Sequence, residues 1–273
     1  ATPVVLDLPN LVDTCGTGGG SPTFNISTAA AFVAAGAGAA VAKHGNRSAT
    51  SQSGSADVLE ALGAHIDLGP EAVAACLARS GVGFMFAPNY HPAFKHVVPV
   101  RRSLAVRTIF NILGPLANPA GVRRQVIGVA DRTYLDRIAE ALGELGAERV
   151  FVVSADDGMD ELSTSVPSEV AEVTPDGVRR LRIDPAALGL RAPGAGDLVG
   201  GDPGHNAELI RRVLDGEGGP RADIVLLNAA AALVVAGIAE TMAEGLDAAR
   251  ESVTQGRAAE RLEAFVRATG ELW

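Results

Sequence analysis

The chain has 273 residues, 47% hydrophobic and 20% charged, with a formal net charge of -9. That is enough to bury a large core, and the charge has the wrong sign for a nucleic-acid binder. Aromatic residues make up 4%, too few for platforms that stack single-stranded bases. The apolar run 224–239 is shorter than a membrane span and contains Asn228, so it reads as a buried core helix and no membrane partner is expected. The two cysteines, Cys15 and Cys76, form neither a metal spacing nor a disulfide framework, and a reducing cytoplasm is the default. Cys15 borders a glycine-rich loop but reads as a small buried thiol rather than a nucleophile.

In chain order, residues 11–15 read as a short buried strand running into Gly16-Thr17-Gly18-Gly19-Gly20. An alanine-rich helix follows over 26–39, with Ser27 or Thr28 placed to cap it. Residues 39–42 read as a second strand, ending in the polar turn Lys43-His44-Gly45-Asn46-Arg47. Ser55 caps a short helix that stops at Gly63, Pro70 opens another that ends near Gly81, and 83–87 is strand-like. The middle, including 111–119, is loop-rich and carries Arg101, Arg102 and Arg107. Residues 125–130 read as a strand, 132–145 as a helix and 149–154 as a strand followed by an acidic run. Residues 169–181 form a hairpin around Pro175-Asp176-Gly177, 194–203 is a loop, and the remainder is helical with a break at 216–220. Strands alternating with helices predict an α/β fold, a mostly parallel central sheet flanked by helices, with the hairpin as an antiparallel addition. No linker separates domains, so 1–273 is expected to be one α/β domain.

Three clusters carry chemistry. Gly16, Gly18, Gly19 and Gly20 let the backbone bend and present its N–H groups, and the helix behind adds its positive end, which suits phosphate or pyrophosphate. Thr23, Asn25, Ser27 and Thr28 add donors just after it. Lys43, His44, Asn46 and Arg47 follow a strand, where α/β folds place ligands, and Thr50, Ser51, Ser53 and Ser55 add hydroxyls. Lys43 is expected to neutralise phosphate as a point charge. The carboxylates of Asp156, Asp157, Asp160 and Glu161 suit a hard divalent cation, and Mg²⁺ takes one or two of them plus phosphates and water. His44, His91 and His96 are candidate acid–base groups with no partner carboxylate visible in the sequence, and His65 and His96 default to packing.

Gly16-Thr17-Gly18-Gly19 with Asn25-Ile26-Ser27-Thr28, Lys43-His44-Gly45-Asn46-Arg47, Arg107-Thr108-Ile109-Phe110-Asn111-Ile112-Leu113-Gly114-Pro115, Asp157-Gly158-Met159-Asp160-Glu161 and Asn228-Ala229-Ala230 together resemble the anthranilate phosphoribosyltransferases of tryptophan biosynthesis. Phe84 to Pro88, His91 and Pro99-Val100-Arg101 extend the match, which covers nearly the whole chain. The resemblance implies a catalytic α/β domain over 1–273 and transfer of the phosphoribosyl group of phosphoribosyl pyrophosphate to anthranilate, with Mg²⁺ as cofactor. It also implies a homodimer for the full-length protein, with the small N-terminal helical domain largely absent from this chain. Carried over, Gly16, Gly19, Thr23, Asn25, Ile26, Ser27, Thr28, Lys43, His44, Gly45, Asn46, Arg47, Ser51 and Ser55 face phosphoribosyl pyrophosphate. Ser27, Asp160 and Glu161 hold the metal, while Gly16, His44, Asn46, Pro88, His91 and Arg101 line the anthranilate side. Lys43, Arg101, Asp160 and Glu161 are the implied catalytic positions. One departure stands out: where family members place an aspartate after the glycines, this chain has Gly20-Ser21-Pro22, so its loop is expected to lean on backbone N–H groups and Lys43. The competing readings are a pyrimidine-nucleoside phosphorylase-like enzyme, which would release free base from nucleoside and phosphate, and a non-catalytic binding protein, which would fail to take up phosphoribosyl pyrophosphate.

Overall fold

The computed structural model describes residues 1–6, 8, 10–48, 52–92 and 109–273. Seven strands, β1 (Leu11–Gly16), β2 (Ala40–Gly45), β3 (Val82–Phe86), β4 (Arg124–Gly128), β5 (Arg149–Ala155), β6 (Ser168–Thr174) and β7 (Gly177–Ile183), form one sheet in the order β3-β2-β1-β4-β5-β6-β7. The first five are mutually parallel, and β6 and β7 are added antiparallel, as the hairpin around Pro175-Asp176 predicts. From β1 the chain builds outward through β2 and β3, then returns to the other side of β1 for β4 and β5. The strand order therefore reverses between β1 and β4, and a crevice opens at their carboxyl ends, where open α/β sheets place ligands.

Ten helices are described: α1 (Ile26–Gly36), α2 (Ser55–Ala61), α3 (Pro70–Ser80), α4 (Ala87–Tyr90), α5 (Ile109–Leu116), α6 (Leu135–Glu144), α7 (Pro203–Leu214), α8 (Pro220–Ala236), α9 (Met242–Thr254) and α10 (Arg257–Leu272). α8 is buried continuously from Ile224 to Ala236, the core helix that run 224–239 predicts, and it packs on α1 and α9. Small residues set that spacing: a Cβ on Gly245 of α9 would lie 2.8 Å from the Ala230 carbonyl oxygen. Among the described residues no helix is long and apolar enough to cross a membrane.

Three local expectations are corrected. α1 starts at Ile26, so Ser27 and Thr28 lie inside its first turn and neither caps it. Ser55 is likewise the first residue of α2, not its cap; the Asp57 carboxylate accepts the N–H groups of Gly54 at 2.9 Å and Ser48 at 3.1 Å. Residues 111–119 are expected as loop, but 109–116 are helical; Pro115, which has no N–H to donate, lies at the helix's carboxyl end, and the helix stops at Leu116.

Candidate active site

β1 hands the chain to the glycine loop at the crevice. Gly18 and Gly19 take φ values of 71° and 87°, the left-handed region that glycine enters without steric cost. The loop does not stand alone: the Gly18 N–H donates to Asp160 Oδ2 at 2.8 Å. A Cβ on Gly16 would lie 2.6 Å from Asp160 Oδ2, one on Gly20 2.7 Å from Oδ1, and one on Gly128 only 1.5 Å from the Asp160 carbonyl oxygen. Asp160 thus fits because three facing positions carry no side chain. The acid missing from the loop itself is met by a carboxylate arriving from the segment after β5.

That segment divides the acidic run. Asp156 pairs with Arg132 and Arg182 at the surface. Asp157 turns back on its own loop, accepting the Met159 N–H at 3.2 Å and the Ser163 hydroxyl at 2.7 Å. Asp160 and Glu161 alone of the four line a narrow cavity shared with Thr14, Ser27, Gly128 and Asn228. Burial, and next the neighbouring Asp160 carboxylate, push the Glu161 carboxyl well above its usual range, with Lys43 pulling the other way. Asn228 holds the segment from α8, pairing with both backbone groups of Leu162 at 3.0 Å.

Lys43 and His44 were expected in one turn after the second strand. β2 instead continues to Gly45, and successive residues of a strand face opposite ways. Lys43 is 3% exposed, and its ammonium donates to the Thr14 carbonyl, to Thr14 Oγ1 at 3.3 Å and to Ser27 Oγ at 3.2 Å. It therefore forms the floor beneath Ser27. Burial lowers its pKa, opposed chiefly by Asp13. Asp13, fully buried on β1, accepts the His44 N–H at 3.3 Å and the Asn118 amide at 2.8 Å; burial raises its pKa and Lys43 opposes that. His44 turns to the other face and meets His91, with Nε2 atoms 3.2 Å apart. Burial, then His91, push His44 down to about 4, and burial lowers His91 too. Cys15 is only partly buried; desolvation, and next Asp13, push its thiol well up, which makes it a poor nucleophile.

The other expected contacts are distributed around this centre. Asn25 spends its amide on bracing: Oδ1 accepts from Ser53 Oγ at 3.0 Å and Asn206 Nδ2 at 2.9 Å, and Nδ2 donates to the Ser53 carbonyl at 3.1 Å. Thr23 bridges to Val199 beside the loop. The Ile26 side chain is in the core, and the Thr28 hydroxyl is buried with no hydrogen-bond partner among the described residues. Asn46 is exposed, and Ser55 Oγ donates to its carbonyl at 3.3 Å beside Gly45, which has no room for a Cβ. Arg47 is not brought to the cavity; it turns outward to Asp57 and Glu60. Pro88 is exposed at the start of α4, three residues before His91. Ser51 and Arg101, with Thr50, His96, Arg102 and Arg107, lie outside the described residues. Asp13, Asn118 and Asn206 were not singled out from sequence, and the one signal available was a charge, Asp13, inside a short buried strand.

The donor set suits Mg²⁺. Asp160, Glu161 and Ser27 line one cavity, with the small or apolar residues Cys15, Ala30, Val126 and Val153 beside them, and repulsion between two adjacent carboxylates is relieved by a divalent cation. Among the described residues no three His, Cys, Asp or Glu side chains converge to hold a metal by themselves. Phosphate and water would supply the remaining ligands, the usual habit of Mg²⁺.

Comparison with known proteins agrees with this geometry. Residues 8–259 match the glycosyl transferase family, a/b domain. The chain is 53% identical over 266 residues to anthranilate phosphoribosyltransferase of Thermomicrobium roseum, covering 96% of this chain and 76% of that protein. It is 54% identical over 271 residues to anthranilate phosphoribosyltransferase 2 of Streptomyces coelicolor, covering 98% and 81%. Among solved structures, it superposes on the anthranilate phosphoribosyltransferase of Thermus thermophilus with a TM-score of 0.92 and 46% identity, covering 98% of this chain and 80% of that one. The Saccharomyces cerevisiae enzyme, solved with phosphoribosyl pyrophosphate and Mg, gives a TM-score of 0.91 and 30% identity, covering 99% and 77%. Sheet order, glycine loop and relatives all place the chain in the glycosyl transferase family, a/b domain, among the anthranilate phosphoribosyltransferases.

Proposed function

We propose that this chain transfers the phosphoribosyl group of phosphoribosyl pyrophosphate to anthranilate, giving N-(5-phosphoribosyl)anthranilate and pyrophosphate in tryptophan biosynthesis. The observation that carries the reading is the meeting of Ser27, Asp160 and Glu161 in one cavity beside the glycine loop, at the carboxyl ends of β1 and β4. Ser27, Asp160 and Glu161 would hold Mg²⁺, which when bound offsets charge on the departing pyrophosphate. The loop N–H groups and the first turn of α1 bind the phosphates. Lys43 acts from the floor, fixing Ser27 and Thr14 through its ammonium.

Gly16, Asn46, His44, Pro88 and His91 line the anthranilate side, with Arg101 holding the carboxylate as a guanidinium fork. Anthranilate's aniline nitrogen is a weak nucleophile, so the bond to pyrophosphate breaks ahead of attack and the residues stabilise the leaving group. His44 stays neutral at pH 7; no strong base is needed, because the nitrogen turns acidic as its bond forms. The two free thiols favour a reducing cytoplasm, and the full-length enzyme is read as a homodimer.

The test is incubation with anthranilate, phosphoribosyl pyrophosphate and Mg²⁺, with the product identified by mass. Phosphoribosyl-anthranilate is the expected product. Its absence, with free base released from a pyrimidine nucleoside and phosphate instead, would replace this reading with the phosphorylase one.

A further inference from the structure

Asn228 lies in the middle of α8, inside the stretch where every residue from Ile224 to Ala236 is buried and all the others are apolar. An amide there is unfavourable unless its groups are hydrogen-bonded. Its Nδ2 donates to the Ile224 carbonyl one turn back at 2.9 Å and to the Leu162 carbonyl at 3.0 Å, while Oδ1 accepts the Leu162 N–H at 3.0 Å. The side chain thus pairs with both backbone groups of one residue, as a neighbouring strand would. That residue directly follows Asp160-Glu161.

The geometry fixes the acidic segment from several directions. The Asp160 carbonyl rests against Gly128, the Gly18 N–H holds the Asp160 carboxylate, and Asn228 of α8 grips Leu162, with Asn228 itself lining the same cavity. Two like-charged carboxylates side by side tend to separate, and the bonds to Leu162 resist that by anchoring the backbone next to Glu161. We propose that Asn228 is a positioning residue that holds Asp160 and Glu161 at metal-binding separation before any metal arrives. The inference rests on the metal reading given above.

Groups that orient metal ligands from outside cost about 10- to 100-fold in metal affinity when removed. Electron paramagnetic resonance of Mn²⁺ bound to the full chain with phosphoribosyl pyrophosphate is the readout, taken well below the melting temperature. Asn228→Ala is expected to weaken Mn²⁺ by about that factor and to move Mg²⁺ activation to higher concentration, with the rate at saturating Mg²⁺ largely restored. Unchanged Mn²⁺ affinity in the folded variant overturns the inference. Asp160→Asn with Glu161→Gln, measured in parallel, separates the two failures: if that pair also leaves Mn²⁺ affinity unchanged, it is the metal reading that falls. Should Asn228→Ala not fold, Asn228→Ser, too short to span to Leu162, takes the same measurement. If neither folds, hydrogen exchange at the Leu162 amide of the parent chain decides: slow exchange without metal or substrate supports a preformed clamp, and fast exchange overturns it.

Discussion

The two ends of the sheet handle charge in opposite ways. At the parallel end, Asp13 on β1 and Lys43 on β2 point inward and are buried. At the antiparallel end, Arg180 and Arg182 of β7 point outward and pair with Asp136, Asp156 and Glu169 at the surface. The exception there is Glu172 of β6, buried between Arg149 and Arg179. Burying an ion costs several kcal/mol before its partners offset it, whereas an exposed pair contributes between nothing and about 1 kcal/mol. The hairpin therefore carries charge that folding barely registers, while the parallel end carries charge that folding must tolerate. Its cost is concentrated under the cavity that holds Ser27, Asp160 and Glu161.

The comparison breaks most directly at Lys43. Lys43→Met removes the cation that offsets the buried carboxylates of Asp13 and Glu161, and stripping one partner from a buried charge group costs about 3–5 kcal/mol. Urea unfolding should show that loss, and Asp13→Asn added to Lys43→Met should recover part of it. If the double variant is no better than the single one, the two charges do not offset each other as described.

Space is the next constraint. Gly128→Ala would drive a methyl into the Asp160 carbonyl oxygen, 1.5 Å from the Cβ position. Neither atom belongs to a flexible side chain, so backbone must shift, at about 1–3 kcal/mol or more. Because the displaced backbone is that of Asp160, turnover should fall by about 100-fold even where the variant is fully folded. Normal turnover in a folded Gly128→Ala protein would mean that this approach has no part in placing the carboxylate.

Protonation gives a smaller effect with a definite sign. His44 titrates at about 4 in the folded chain against an ordinary 6.5, so the unfolded chain binds the proton first and stability is lost as pH falls below 6.5. Between pH 7 and pH 5 the loss from this one group is about 2 kcal/mol, and His91, also lowered, adds in the same direction. His44→Phe should flatten this part of the stability profile; a profile with unchanged slope would show that His44 is not the titrating group.

Much of this frame was legible in the residues. The glycine loop, Pro70 and Gly81 at the ends of α3, the Pro175-Asp176 turn and the buried run in α8 are local signals, each set by a few neighbours. The ends of β2 were not, because Lys43 and His44 look the same beyond a strand as within one. Only pairing with β3, through Lys43 opposite Phe84 and His44 opposite Met85, extends the strand and sends the two side chains apart. Asp13 was hidden for a related reason: its partner Asn118 is 105 residues away, and nothing near it in the chain says its charge is answered. The acidic run suggests a cation site but not which of its members line the cavity, since Asp156 is claimed by arginines of other elements and Asp157 by its own loop.

The smallest expected effect belongs to the hairpin. Arg180 is about half exposed and pairs with Asp136 of α6, itself more exposed, and with Glu169 across β6. Water screens both partners, and ordering two long side chains offsets most of the attraction, so Arg180→Ala should change stability by less than about 1 kcal/mol. Whatever it does cost should shrink as salt is added, and a double-mutant cycle with Asp136→Ala should give a coupling of a few tenths of a kcal/mol at most. Turnover should not respond, since no atom of this pair touches the cavity. A coupling well above 1 kcal/mol, or one indifferent to salt, would mean that the outer charges are more deeply engaged than their exposure indicates, and that the two ends of the sheet differ less than their burial suggests.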